Sequence, residues 1–174
     1  LKHESPGLTI IFCATRRMLD ILGKNLYKNV INAQKLHGGM SQSRRKQAID
    51  MFHNKKTDVL IASDVAARGL DIKNVTHIVN YDIPKTSNEY IHRIGRTARA
   101  GKEGKVISLL SEVDYNNFRK VLEDRNLIVE KLKLPEFAKI LLVKTERSMD
   151  FRRDSRTQSH NRRHNNFHKR SYRR

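Results

Sequence analysis

The chain has 174 residues, with 36 Lys and Arg against 18 Asp and Glu, a formal net charge of +18. That length accommodates one ordinary domain plus an appendage, and the charge suits a polyanion, either nucleic acid or an anionic membrane surface. Excluded are a membrane span, for lack of any apolar run near the roughly 20 residues it needs, and, with Cys13 alone, an internal disulfide or a four-cysteine zinc site.

Leu8–Phe12 is a short apolar, β-rich run, read as a buried strand. Cys13 continues that run and is read as a buried, inert thiol. Thr15 is placed to cap the next helix, where Met18, Leu22 and Leu26 recur every fourth residue. Ala33–Leu36 is a further strand. Ser41 caps a second helix with Ala48, Ile49 and Phe52 inward. Asp58–Ala62 and Val75–Asn80 are buried strands, the second ended by the turn around Asp82-Ile83-Pro84. Ser87 is the expected cap of a short helix with Tyr90, Ile91 and Ile94 as its buried stripe. Lys105–Leu110 reads as a strand, Phe118, Val121 and Leu122 mark a helix, and Val129–Leu132 adds a last short strand.

Strands alternating with helices predict an α/β fold with a parallel sheet covered on both faces. Ligands in such sheets gather at the carboxyl ends of the strands, where Thr15, Ser63 and the Asp82 loop fall. Residues 135–146 read as a linker or one more short helix, with Phe137–Val143 as its amphipathic part. Residues 147–174 hold nine Arg and Lys169 against Asp150 and Asp154, a net +8. So few apolar residues predict disorder. Phe151, Phe167 and Tyr172, interleaved with the charges, suit stacking on unpaired bases.

The chemistry concentrates in His92-Arg93-Ile94-Gly95-Arg96-Thr97-Ala98-Arg99-Ala100-Gly101. Arg93, Arg96 and Arg99 recur every third residue, a spacing that makes neighbours on a helix surface. Guanidinium groups so placed repel one another unless an anion or water lies between them, and arginine grips phosphate oxygens in pairs. Gly95 and Gly101 let other groups approach closely. From spacing alone, a solvated basic turn is an equal reading.

These ten residues resemble the sixth motif of DEAD-box RNA helicases, with Ala98 where that family usually has glycine. The resemblance implies that Arg96 and Arg99 are catalytic arginine fingers, reaching the γ-phosphate of ATP held by a separate domain, where a fixed guanidinium stabilises developing charge. It implies His92 and Arg93 as ATP-binding or inter-domain contacts.

Other stretches carry the same resemblance. Thr9–Thr15 resembles the family's fourth motif. His37-Gly38-Gly39-Met40-Ser41-Gln42-Ser43-Arg44-Arg45 resembles its histidine-glycine, Gln-x-x-Arg opening, with Gln42 and Arg45 in a first helical turn where N–H groups and the helix dipole attract anions. Ala62–Asp71 resembles the fifth motif, with Ser63 where threonine is commoner. By that pattern Thr15, Gln42, Arg45, Ser63 and Gly69 hold the RNA backbone, and Asp71 meets the ATP ribose or tethers the neighbouring domain.

Neither a Gly-x-x-x-x-Gly-Lys-Ser/Thr phosphate loop nor an Asp-Glu-Ala-Asp run occurs. The resemblance is therefore to the family's second domain only. It implies a C-terminal RecA-like helicase domain over residues 1–134, three-layered, with a mostly parallel sheet between helices. ATP and Mg2+ would be held mainly by an N-terminal RecA-like domain of the same protein, and the chain contributes no metal ligands. The expected partners are that domain and RNA, with no membrane contact, and the expected compartment is the cytoplasm. Leu1 in place of methionine points to a piece of a longer protein. Two alternatives stand: a DNA helicase or repair translocase, which His92 in place of glutamine disfavours, and an RNA-binding or docking module without an ATPase half.

Overall fold

The structure, a computed structural model, describes residues 1, 6–68, 72, 74–98, 103–134, 136 and 142. Leu1–Val143 cluster as one unit. Its elements are β1 (Thr9–Phe12), α1 (Arg16–Lys28), β2 (Ala33–Leu36), α2 (Gln42–His53), β3 (Val59–Ala62), α3 (Asp64–Ala67), β4 (His77–Asn80), α4 (Ser87–Ile94), β5 (Lys105–Ser108) and α5 (Tyr115–Leu122), the last entered through a 3-10 turn at Glu112–Asp114.

The strands form one all-parallel sheet in the order β2-β3-β1-β4-β5. β1 lies at its centre, paired in register from Thr9 to Phe12 with Val59–Ala62 on one side and His77–Asn80 on the other. Every residue of β1 and β3 is buried, which is why both read as largely apolar runs. Alternate side chains serve opposite faces. Ile10, Phe12, Leu60, Ala62 and Ile78 pack with Phe52 and Ile49 of α2, whereas Ile11, Cys13, Val59 and Ile61 pack with Leu19, Met18, Leu22 and Leu26 of α1. Each large side chain so buried contributes about 1.5–3 kcal/mol. A smaller cluster joins α4 to α5 through Tyr90, Ile83, Val121 and Phe118.

Local chemistry sets the helix ends. Thr15 Oγ1 accepts from Met18 N and Ser41 Oγ from Arg44 N, as their positions predict. α1 and α2 both end in Schellman turns, with Val30 (φ 61°) and Lys55 (φ 54°) in the left-handed conformation. Ile31 N donates to Leu26 O and Lys56 N to Met51 O.

Three expectations are corrected. α4 is capped by Thr86, whose Oγ1 accepts from Glu89 N, and Ser87 is its first helical residue. Ile91 turns outward, and the buried positions of α4 are Tyr90 and Arg93. Val129–Leu132 forms no strand: residues 123–134, which follow α5, run without a ladder partner, and Ile128 and Leu132 stay exposed. The helix expected over Phe137–Val143 and the segment 147–174 fall outside the described residues.

Candidate nucleic-acid and nucleotide interface

Of the predicted site residues, Thr15, Gln42, Arg45 and Ser63 lie along the carboxyl-end rim of the sheet. In strand order, β2 leads into the Gly38-Gly39 turn and the start of α2, β3 into Ser63, β1 into Thr15, and β4 into Asp82. Neighbouring strands stand about 4.8 Å apart, so these four ends span roughly 14 Å.

Thr15 is exposed, its hydroxyl capping α1. Gln42 is the first residue of α2 and is also exposed. Arg45, one turn further, reaches across to α3, where its Nη2 donates to Ala66 O at 3.3 Å. Ser63 stands at the N-cap of α3 without making a side-chain cap bond. The structure thus brings Gln42, Arg45 and Ser63 to adjacent strand ends and fixes Arg45 against the backbone that follows Ser63. Gly69, Asp71 and Arg99 lie outside the described residues.

His37, at the end of β2, is almost wholly buried and receives a hydrogen bond from Gly39 N on its Nδ1. Burial, with the Arg16 guanidinium beside it, holds its pKa below the usual histidine value. A neutral imidazole is what that bond requires, since a protonated Nδ1 cannot accept.

The sequence placed Arg93 with the ATP or inter-domain contacts. The structure buries it at 2% exposure. Its guanidinium pairs with the Asp64 carboxylate through two parallel bonds, Nε to Oδ1 at 2.6 Å and Nη2 to Oδ2 at 2.7 Å. Nη1 donates to Asp82 O at 2.6 Å and to Asn80 Oδ1 at 3.2 Å. The Phe12 ring lies against the group, 5.2 Å from its centre. Asn80 passes the network on to Ser108, which meets the Tyr90 hydroxyl. Asp82 Oδ2 accepts from Ala14 N at 2.8 Å, binding the β4 loop to the β1 loop.

Sequence reasoning missed Asp64 and Asn80 as partners of this arginine, and Ser108 as the partner of Asn80. One signal was present. Arg93 follows Tyr90 by three positions, so if Tyr90 faces the core, Arg93 faces it too. An inward arginine demands an inward carboxylate, and Asp64 directly after β3 is suitably placed.

Arg96 lies past the end of α4. Gly95 N donates to Ile91 O, Arg96 N to Arg93 O, and Thr97 N to Ile94 O, an overrun that carries the chain out of the helix. Arg96 Nε donates to His92 O at 3.3 Å. Thr97 Oγ1 then anchors the segment by donating to Val75 O at 2.6 Å. Arg96, exposed His92, Arg68 and Glu89 line a shallow recess above Phe12 and Asp64. Ala98 takes a left-handed backbone, φ 55°, the conformation for which glycine is the easy residue. Gly104 packs so closely on Thr97 and the Ala98 nitrogen that a Cβ there would overlap both.

Cys13 sits beneath this rim, fully buried, and burial, helped by the nearby Asp82, pushes its thiol up to about 12. It takes no part in nucleophilic chemistry at neutral pH. Among the described residues no group of three or more His, Cys, Asp or Glu is arranged to hold a metal ion. No helix there is long and apolar enough to cross a membrane.

The profile of helicase conserved C-terminal domains matches residues 1–101. The chain belongs to the helicase conserved C-terminal domain family. It is 42% identical over 151 residues to the ATP-dependent RNA helicase CshA of Listeria monocytogenes, covering 84% of this chain and 29% of that protein. A DEAD box protein from the hyperthermophile Methanococcus jannaschii superposes with a TM-score of 0.70 at 38% identity, over 76% of this chain and 36% of that one. Domain 2 of the DEAD-box helicase Mss116p, solved bound to an RNA duplex, superposes with a TM-score of 0.67 at 30% identity, over 79% of this chain and 55% of that one. These likenesses make the helicase domain one of the DEAD-box type. The chain spans less than a third of the length of the curated relatives it matches.

Proposed function

We propose that this chain is the C-terminal half of a DEAD-box ATP-dependent RNA helicase, coupling ATP binding and hydrolysis to RNA binding and local duplex unwinding. The observation that carries the reading is the division of labour along one rim. A buried arginine, Arg93, knots three strand ends together, and beyond it the chain leaves α4 to present Arg96 and His92 at a recess. Thr15, Gln42, Arg45 and Ser63 occupy the neighbouring ends.

The residues at the recess suit a triphosphate approached from outside, since Arg68, His92 and Arg96 carry donors for phosphate oxygens, and the sequence holds neither a phosphate loop nor an Asp-Glu-Ala-Asp run. ATP and Mg2+ are therefore assigned to an N-terminal RecA-like domain, facing Arg96 and Arg99 across a cleft. The bound nucleotide supplies the phosphoryl group whose developing charge a fixed guanidinium stabilises. Thr15, Gln42, Arg45, Ser63 and Gly69 are assigned to the RNA backbone, which predicts little sequence preference. Asp71 and His92 are assigned to the ATP ribose or the domain boundary. The +8 segment at 147–174 adds sequence-blind RNA affinity.

The test joins the chain in cis to its N-terminal domain and measures ATP turnover with and without RNA. RNA-stimulated hydrolysis is expected, and Arg96→Ala or Arg99→Ala should lower it by about 10³-fold or more. RNA binding without any ATPase would favour a docking module, and wild-type turnover in both variants would remove the finger assignment.

A further inference from the structure

Arg93 stands out because it touches the ends of β3 and β4 through hydrogen bonds and the end of β1 through the Phe12 ring without belonging to the rim's surface. Its two bonds to Asp64 hold the residue directly after Ser63. Its bond to Asp82 O holds the β4 loop, whose carboxylate in turn holds Ala14, the residue before Thr15. Its own backbone carbonyl accepts from Arg96 N, and the preceding carbonyl, that of His92, accepts from Arg96 Nε. One planar group thus ties the ends of β3, β4 and β1 to the segment bearing Arg96. The fork is rigid and nearly saturated, with Nε, Nη1 and Nη2 all engaged and Phe12 packed on its face. A displacement of the Ala14–Thr15 loop or of Ser63–Asp64 must therefore be passed to α4 or break a buried ion pair, and breaking it is costly.

We infer that Arg93 is a positioning residue that couples RNA at Thr15 and Ser63 to the placement of Arg96, through two arms, one by Asp64 and one by Asp82 and Ala14. The inference rests on the RNA grip proposed above for Thr15 and Ser63. The coupling is carried by shared hydrogen bonds and needs no large motion.

Amide hydrogen exchange on this chain, with a short oligouridylate as probe, tests it without any ATPase assay. In the wild-type protein RNA should slow exchange at Ala14 and around Ser63. It should also slow, by about fivefold or more, the amides of Gly95, Arg96 and Thr97 at the end of α4, the low end of ordinary coupling between sites. Asp82→Ala removes an exposed bond and leaves the buried ion pair intact, so the fold is retained. It should leave RNA contact at Thr15 and Ser63 but reduce the response at Gly95–Thr97. Arg93→Lys keeps the charge and loses the fork, and should abolish that response. A purely structural role would raise exchange in the RNA-free variants while leaving the RNA-dependent difference unchanged. That result overturns the inference, as does RNA binding by the wild-type chain with no response at α4. Absence of RNA binding in the wild-type chain overturns the proposed RNA grip and this inference with it, so the two failures are distinct.

Discussion

Arg93 and Arg96 are three residues apart, and the structure puts them in two different chemical worlds. Arg93 is inside, with its charge neutralised by Asp64 and its donors spent on Asn80 and Asp82. Arg96 is half-buried at the mouth of a recess, held by the end of α4 and by the Thr97 anchor. The spacing made Arg93 and Arg96 neighbours on one helix surface, but α4 stops at Ile94, before Arg96. A buried guanidinium needs its partners built in, whereas one at the rim keeps part of its surface for solvent or an approaching anion. Repulsion between neighbouring arginines is avoided by depth as much as by any ligand.

The largest expected effect breaks this comparison most directly. Arg93→Met leaves the Asp64 carboxylate without its partner in a largely buried setting and should cost about 3 kcal/mol of folding stability. Arg96→Ala, removing a side chain from the rim, should change stability by about 0.5 kcal/mol or less. Chemical denaturation of the two variants side by side measures both, and equal losses would show that the two arginines are not separated in role.

Gly104→Ala comes next. Its Cβ would overlap Thr97 Oγ1 and the Ala98 nitrogen, both on the segment that holds Arg96. Overpacking of this kind costs about 1–3 kcal/mol, and the displaced segment should lower turnover of the two-domain protein more than it lowers RNA affinity. A variant with wild-type stability would mean that this contact relaxes without strain.

Ala98→Gly acts on the same segment in the opposite direction. At φ 55° the alanine Cβ is strained, and relief should raise stability by about 1 kcal/mol. A lower unfolding midpoint for the glycine variant would argue that chain entropy outweighs the strain. The smallest test concerns the start of α4. Thr86→Ala removes the cap and should cost about 1 kcal/mol, whereas Ser87→Ala, already inside the helix, should cost less. The reverse order would return the cap to Ser87.

By itself, the sequence determined the layered plan and the rim position of Thr15, Gln42, Arg45 and Ser63. The largely apolar runs at Leu8–Phe12 and Val59–Ala62 announced strands covered on both faces, since such strands lack a polar side. Thr15 and Ser41 announced their helices, because capping is decided within three residues. Motif residues fell at strand ends because in a parallel sheet the loops that follow carboxyl ends share one edge. Thr86 was passed over for its neighbour Ser87, an ambiguity of one residue between two competent caps. Val129–Leu132 carried strand-forming residues, but a strand needs a partner and none pairs with it. What only the tertiary structure decided is the fate of Arg93. Its partners stand 29 and 13 positions away, at Asp64 and Asn80, and no local pattern states which strand ends will be adjacent. The order β2-β3-β1-β4-β5 does, by setting the ends of β3 and β4 on either side of β1. That order places a carboxylate and an amide where one inward guanidinium meets both.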